Sequence, residues 1–258
     1  MGILNITPDS FHDGGQYVAE TDALKQVEKM LHHGADFIDI GGMSSRPGAE
    51  IITEHEEIKR VLPVLEEIIK AFPEAIISVD TLRAKVAKEA LQAGTHIIND
   101  ISAGRFDQAM IETVAPFKAP YIIMHMQGMP ANMQAAPEYK DVVSEVYDFI
   151  LARIKACRQA GITDIIIDPG FGFGKTVEHN YTLLHSLSYF ANLNVPILAG
   201  VSRKSMICKV LGVNPDKALN GTTAVNMLAL MNGAQILRVH DVKEAKEVVK
   251  IFEAYTKA

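Results

Sequence analysis

A regular alternation of short apolar runs with longer amphipathic segments constrains the fold of this chain more than any other feature. Eight apolar runs lie at residues 2–5, 37–41, 76–80, 97–100, 121–124, 165–168, 195–200 and 236–239. They are too apolar along their length to have a face exposed to water, which is typical of parallel strands covered on both faces. The alternation therefore predicts an α/β fold with a parallel sheet.

The segments between the runs have the period of amphipathic helices. Val142, Val146 and Phe149, for example, are spaced by four and three residues, which places them on one helix face. Four glycines stand just after such a segment and just before the next run, where a left-handed helix cap is expected. These are Gly34, Gly94, Gly161 and Gly233.

The number and size of the units favour a single (β/α)8 barrel, the TIM-barrel fold, over residues 1–258. Eight units in 258 residues average about 32 residues each, close to the size of such a barrel. An open doubly wound sheet would carry a glycine-rich phosphate turn after its first strand, and residues 5–8 (NITP) contain none.

Composition excludes several classes of function. The 25 Lys and Arg against 31 Asp and Glu give a net charge of −6, without the basic excess that binding to nucleic acid or to anionic lipid requires. No apolar run approaches the ~18–20 residues of a membrane span, and the start has no basic signal-peptide region. Cys157 and Cys208 show no metal or redox spacing. A cytoplasmic protein is expected.

Polar residues stand near or just after the end of almost every apolar run, where the chemistry of a barrel is found. They are Asn5, Asp39, Asp80, Asn99, Asp100, His125, Asp168, Ser202, Arg203, Lys204, Arg238 and His240. Any one of them could simply cap the next helix, but the whole set is better explained as a site. Arg238 and His240 are two residues apart and share a strand face, which suits a phosphate. Alone, His240 could equally be a helix-entry histidine.

Four further segments are rich in glycine, proline or methionine. Residues 7–15 and 41–48 have glycines beside charged or aromatic tips, as mobile lids do, although plain flexible loops are the alternative. Residues 168–175 (DPGFGFGK) lack the spacing of a nucleotide fingerprint. Residues 124–129 (MHMQGM) could be core filler or a soft apolar wall.

In their order along the chain, these segments resemble the signatures of the dihydropteroate synthase family of pterin-binding enzymes. The matching segments are 5–15 (NITPDSFHDGG), 39–48 (DIGGMSSRPG), 78–81 (SVDT), 98–101 (INDI), 124–128 (MHMQG), 168–170 (DPG), 202–205 (SRKS) and 238–240 (RVH). The resemblance implies a transferase of folate biosynthesis. Such an enzyme condenses a pterin pyrophosphate with p-aminobenzoate to give 7,8-dihydropteroate, and sulfonamides mimic the second substrate.

The resemblance also implies a role for individual residues. The implied pterin pocket consists of Asp80, Asn99, Ile101, Ile122, Met124, Asp168 and Lys204. The implied p-aminobenzoate site consists of Phe11, Ser45, Arg46, Pro47, Phe173 and Ser205. The implied pyrophosphate site consists of Asn5, Arg238 and His240, with Asn5 as a metal ligand for Mg²⁺. Homodimer formation through late helices is implied as well. Members of the family usually have a segment before the first strand, so the resemblance implies that this segment is missing or shortened here, where the first run begins at residue 2.

The implied mechanism is dissociative: pyrophosphate leaves the pterin methylene, and the neutral amine attacks the resulting cation. Asp13 matches the aspartate that stabilises this cation, and Asp13, Lys204, Arg238 and His240 form the implied catalytic set. No nucleophile–base pair stands out in the sequence, which agrees with catalysis by positioning and electrostatics. Ser45 replaces the threonine usual in the family, so we expect a looser wall and weaker sulfonamide binding.

Two alternatives share part of this pattern. A pterin-binding methyltransferase acting on methyltetrahydrofolate with a corrinoid partner would need Asp80, Asn99 and Asp168. It would not need Arg46, the segment 202–205 or the Arg238 and His240 pair. A pterin-binding paralogue without catalysis is the second alternative, but every matched polar position is filled.

Overall fold

The structure is a computed structural model that describes residues 1–6, 15–43, 52–128 and 137–258, with backbone only for 15–20. In chain order its strands and helices are β1 (Gly2–Asn5), α1 (Gly15–His32), β2 (Phe37–Gly41), α2 (Glu54–Ala71), β3 (Ile76–Asp80), α3 (Ala84–Ala93), β4 (Ile97–Asp100), α4 (Met110–Val114), β5 (Tyr121–Met124), α5 (Val142–Gln159), β6 (Ile165–Asp168), α6 (Val177–His185), β7 (Leu198–Ala199), α7 (Ser205–Leu211), α8 (Leu219–Met231), β8 (Ile236–Leu237) and α9 (Val242–Thr256). Short 3₁₀ turns cover Ala115–Phe117, Leu187–Leu193 and Pro215–Lys217.

The strands run parallel and follow chain order around the fold. Strands β1 to β6 form one sheet, and β7 pairs with β8. Single parallel bridges join the two groups, Ile167 with Ile197 at one seam and Gly2 with Val239 at the other. The backbone N–H of Ile3 donates to the Val239 carbonyl at 2.9 Å across the second seam. The predicted (β/α)8 barrel is therefore confirmed.

Strand bounds agree with the apolar runs for β1 to β6, whereas the last two strands are shorter than predicted. The run 195–200 contains only Leu198–Ala199 as strand, and the run 236–239 contains only Ile236–Leu237. Pro196 has no N–H to donate to a ladder, and Val239 pairs with β1 through an isolated bridge. The four predicted helix-ending glycines all have positive φ, between 87° and 106°.

The barrel interior has two layers with opposite character. The lower layer is an apolar cluster of Met1, Phe37, Ile97, Ile122, Ile166, Leu198 and Ile236. Two residues further along the same strands, the same inward face carries Asp39, Asn99, Asp168 and Arg238. The other strand face packs against the helices in the main core, as Ile38, Ile98 and Ile123 do. The fold thus places an apolar floor beneath a polar rim.

No helix in the described part of the chain combines the length and apolarity needed to cross a bilayer.

Asp100 fixes the rim end of β4 from outside the barrel. Its buried carboxylate accepts hydrogen bonds from the Ser102 N–H at 2.8 Å, the Ser102 hydroxyl at 2.7 Å, the Gly104 N–H at 2.6 Å and the Tyr121 hydroxyl at 2.6 Å. Burial raises the pKa of Asp100, and these hydrogen bonds oppose that rise. The residues on either side, Asn99 and Ile101, are thereby held at the rim.

We predict that Tyr121→Phe destabilises the fold by about 1.5–3 kcal/mol, the usual contribution of a hydrogen bond to a charged group. Urea unfolding would measure the change. Tyr255→Phe is the matched control, because Tyr255 is 64% exposed on the last helix. Equal stability of the two variants would show that Asp100 does not depend on the hydroxyl.

Candidate active site

The rim of the barrel holds an ion-pair network centred on Arg238. Its Nε donates to Asp39 Oδ2 at 2.6 Å, and its Nη2 donates to Asp80 Oδ2 at 2.8 Å. Asn99 Nδ2 donates to the same Asp39 oxygen at 3.0 Å. Strands β2, β3 and β4 and the residue directly after β8 therefore contribute to one polar cluster.

Asp39 is the residue whose importance the sequence reasoning missed. It is fully buried, and its Oδ1 has no hydrogen-bond partner in the described structure. An acid within an apolar run was a visible signal, but position alone did not show that it pairs with Arg238. Two nitrogens of Arg238 are therefore engaged by protein carboxylates. Arg238 thus links strands of the barrel, in addition to the phosphate-binding role predicted from the sequence.

Burial changes the acidity of the carboxylates in the rim. The pKa of Asp80 rises to about 7, chiefly because burial penalises its charged form; Asp39 adds to the rise and Arg238 opposes it. Burial also raises the pKa of Asp168, against the attraction of Lys204. Burial thus makes both carboxylates harder to ionise, and the nearby cations oppose this effect.

Asp168, Lys204 and Arg238 meet around Gly200. A Cβ placed on Gly200 would lie 3.6 Å from Asp168 Oδ2, 3.7 Å from Lys204 Nζ and 4.0 Å from Arg238 Cβ. Because Gly200 has no side chain, the space next to it is left open between a carboxylate and an ammonium group. The sequence reasoning included this glycine in a strand and gave it no role in the site.

Lys204 is fixed by the loop that follows β6. Its ammonium donates to the Phe171 carbonyl and lies 4.6 Å from the centre of the Phe173 ring. Burial lowers the pKa of Lys204 to about 8, while Asp168 opposes the change. A cation–π contact and a carbonyl thus hold this ammonium beside Asp168.

An apolar wall stands next to these charges. Ile101, Met124 and Phe173 belong to one buried cluster with Leu82 and Met126, and Met43 packs against it. Of the segment 124–129, Met124 and Met126 are therefore wall residues. Ile122, predicted for the same wall, lies deeper, in the apolar floor.

The loops after β7 and β8 are tied together. The Ser202 hydroxyl lies 3.1 Å from His240 Nδ1 and accepts from the His240 N–H at 3.2 Å. Arg203 has a left-handed backbone with φ of 55°, and its Nε and Nη2 each donate to Asp241 at 2.8 Å. His240 and Ser205 are both exposed, so they border the rim rather than fill it.

Asn5 lies at the rim end of β1, with Oδ1 3.7 Å from the position of a Cβ on Gly41. Among the described residues, no group of three or more His, Cys, Asp or Glu side chains could hold a metal ion. Mg²⁺ commonly keeps several waters and binds through one or two protein oxygens together with substrate phosphates. A single amide oxygen at the rim fits that kind of binding.

Five predicted site residues lie outside the described residues: Phe11, Asp13, Ser45, Arg46 and Pro47.

Comparison with known proteins agrees with this geometry. The family model for pterin binding enzymes matches residues 1–240. The chain is 48% identical to the dihydropteroate synthase of Escherichia coli K12, over 98% of this chain and 90% of the relative. It is 48% identical to that of Haemophilus influenzae, over 100% and 94%.

Solved structures match equally well. A Yersinia pestis dihydropteroate synthase with a sulfonamide drug complex superposes with a TM-score of 0.94 at 46% identity, covering 100% of this chain and 94% of that one. The Xanthomonas albilineans enzyme with 4-aminobenzoic acid has a TM-score of 0.93 at 40% identity, covering 100% and 93%. The chain therefore belongs to the pterin-binding enzymes and, among them, to the dihydropteroate synthases, which are transferases.

Proposed function

We propose that this chain condenses 6-hydroxymethyl-7,8-dihydropterin pyrophosphate with p-aminobenzoate, giving 7,8-dihydropteroate and pyrophosphate. The observation that carries the proposal is the meeting of Asp168, Lys204 and Arg238 around Gly200, beside an apolar wall, at the rim of the barrel. The family membership supports the same reaction in folate biosynthesis.

The polar groups match the hydrogen-bonding edge of a pterin. Asp168 would accept from the ring N–H and amino donors, and Lys204 would donate to the ring acceptors. With its Nδ2 directed to Asp39, Asn99 would offer its carbonyl oxygen to the pterin. Asp80 would accept from the remaining ring N–H, and the wall of Ile101 and Met124 would cover the ring.

The second substrate would bind on the outer side of Lys204. Phe173, whose ring centre is 4.6 Å from the Lys204 ammonium, and Ser205, the next residue along the chain, would contribute to its site. By resemblance, Phe11, Ser45, Arg46 and Pro47 would complete the site. Related synthases have been solved with 4-aminobenzoic acid and with a sulfonamide. We therefore propose this position for p-aminobenzoate and for sulfonamide inhibitors of this chain.

The pyrophosphate would lie beside Asn5, Arg238 and His240. When bound, Mg²⁺ would neutralise charge on the leaving pyrophosphate, with Asn5 as its protein ligand. The Arg238 guanidinium, held in place by Asp39 and Asp80, would add positive charge on the same side. His240, tied to Ser202, would donate from the edge of the rim.

We propose a dissociative reaction, in which the pterin cation forms before the amine attacks. A neutral aromatic amine needs no dedicated base to attack a cation, so the residues act by positioning and electrostatics. Asp13 would stabilise the cation, and Lys204, Arg238 and His240 would stabilise the departing charge.

The reaction itself is tested by pyrophosphate release. With pterin pyrophosphate, p-aminobenzoate and Mg²⁺, we predict release of pyrophosphate together with dihydropteroate. Omitting p-aminobenzoate or chelating the metal should lower the rate. Product is followed by chromatography, with Asp168→Asn as the site variant and Asp148→Asn, on the exposed side of α5, as the matched control.

Pterin binding without pyrophosphate release would contradict the proposed catalysis and favour the non-catalytic alternative. Activity that does not change on chelation would contradict only the proposed role of Mg²⁺ and not the proposed reaction.

The proton on Asp80 predicts a pH dependence of pterin binding. As pH rises from about 6 to about 7, still below the pKa of about 8 of Lys204, the Asp80 carboxyl group with its pKa of about 7 begins to lose its proton and to act only as an acceptor. Affinity for a pterin without phosphate should therefore rise over this range, and Asp80→Asn should reduce the slope. Isothermal titration at several pH values measures both; equal slopes would remove Asp80 from the titration.

We propose a homodimer that associates through α7 and α8. Val210 and Leu211 on α7 and Leu228 and Met231 on α8 are large apolar residues that are 47–61% exposed. Exposed apolar surface of this kind marks interaction sites, and the family resemblance suggests a second copy. Leu228→Glu should shift the mass in sedimentation from dimer to monomer, whereas Ile251→Glu on α9 should not; a native monomer would contradict the proposal.

The cytoplasmic location stays a prediction.

A further inference from the structure

The glycine-rich loop between β6 and α6 surrounds a buried lysine of its own chain. Lys175 is only 3% exposed, and its ammonium donates to the Gly170 carbonyl at 2.9 Å, the Phe173 carbonyl at 3.2 Å and His125 Nδ1 at 2.9 Å. An ammonium has three donors and no acceptor. These contacts therefore satisfy its three donors, and the His125 carbonyl is a fourth, longer acceptor at 3.5 Å.

Two glycines allow the loop to close around this ammonium. Gly170 has a φ of 75°, and a Cβ there would lie 1.8 Å from the His125 carbonyl oxygen. Gly174 has a φ of 61°, and a Cβ there would lie 2.3 Å from the Gln127 carbonyl oxygen. Side chains at these positions are excluded by sterics as well as by the backbone conformation. The loop is thus built for close contact with the segment after β5.

The binding is by dipoles rather than by an ion pair. In the described part of the chain, no carboxylate oxygen lies within 4.0 Å of Lys175. Burial lowers the pKa of Lys175 to about 7, although Asp168 opposes the change. Glycine loops that bind phosphate point N–H groups inward, whereas this loop points carbonyl groups at an ammonium.

The other side of the same loop holds Lys204. The Phe171 carbonyl accepts from the Lys204 ammonium, and the Phe173 ring lies 4.6 Å from it. A Cβ on Gly172 would lie 3.2 Å from Lys204 Cδ. The loop is therefore a single layer between two ammonium groups, one buried and one at the rim.

We propose that Lys175 is a positioning residue for pterin binding: it holds the loop so that Phe171 and Phe173 fix Lys204 beside Asp168. Its effect on pterin affinity rests on the proposed function, whereas its effect on Lys204 does not. His125 takes part as a neutral acceptor, with its ring packed edge-on against Phe149 at 5.0 Å.

The first test replaces the ammonium without changing the volume greatly. In Lys175→Met, affinity for 6-hydroxymethylpterin should fall about tenfold, the equivalent of one hydrogen bond to a charged group. Isothermal titration measures the affinity. Val146→Ala on α5 is the control, because it creates a cavity in the core and lowers thermal stability without touching the loop.

A double-mutant cycle then shows whether Lys175 acts through Lys204. In the Lys204→Met background, Lys175→Met should weaken pterin binding by less than about twofold. The same tenfold loss in both backgrounds would mean a general structural effect and would overturn the proposal. If Lys175→Met does not fold, His125→Phe removes one of the three acceptors while keeping a ring against Phe149.

A second readout needs no ligand. Lysine NMR with ¹³C at Cε, assigned by the loss of a signal in Lys204→Met, follows the titration of Lys204. Its pKa, which burial lowers to about 8, should rise in Lys175→Met, partly because the repulsion by the Lys175 charge is lost. It should also shift in His125→Phe, which keeps both ammonium groups, and stay unchanged in Val146→Ala. An unchanged Lys204 titration in Lys175→Met overturns the inference even if the native protein makes dihydropteroate. Native protein that neither binds pterin nor releases pyrophosphate contradicts the proposed function instead.

Discussion

The ion pairs of Arg238 with Asp39 and Asp80 are the contacts on which the polar rim depends. They join residues 199 and 158 positions apart, from the last strand to the second and third. The seam between β8 and β1 has a single bridge, so these contacts add a connection across it from inside the barrel. Leaving a buried charge without its partner costs roughly 3–5 kcal/mol, which makes the network hard to remove one member at a time.

The same burial that makes the network costly prepares it for a ligand. Three acids, Asp39, Asp80 and Asp168, share the rim with two cations, Arg238 and Lys204. Burial raises the pKa of Asp80 and of Asp168, and the nearby cations oppose that rise. In the proposed reaction, a neutral heterocycle with several N–H donors would hydrogen-bond to these carboxylates, and the diphosphate would lie beside Arg238. One rim would then accept both parts of the proposed substrate.

Much of this architecture could be predicted from the sequence because it depends on local rules. Apolar runs set β1 to β6, and glycines at positive φ end helices at the predicted places. Residues at strand ends, such as Asn99 and Asp168, lie on the same rim because parallel strands end there. The pairing of Asp39 with Arg238 could not be predicted, because only the closure of the barrel brings these two residues together. The depth of Ile122 was missed for a related reason: spacing defines the face of a strand but not the layer.

Arg203 illustrates how one motif can serve two levels of the site. It stands between Ser202 and Lys204, yet its guanidinium turns away to bind Asp241 and the carbonyls of Pro215 and Asp216. The left-handed conformation at Arg203, costly for a residue other than glycine, sets the direction in which each neighbour points. Ser202 thereby reaches His240 and Lys204 reaches the loop after β6. With this conformation at Arg203, three consecutive side chains contact three different partners: Ser202 contacts His240, Arg203 contacts Asp241, and Lys204 contacts the loop after β6.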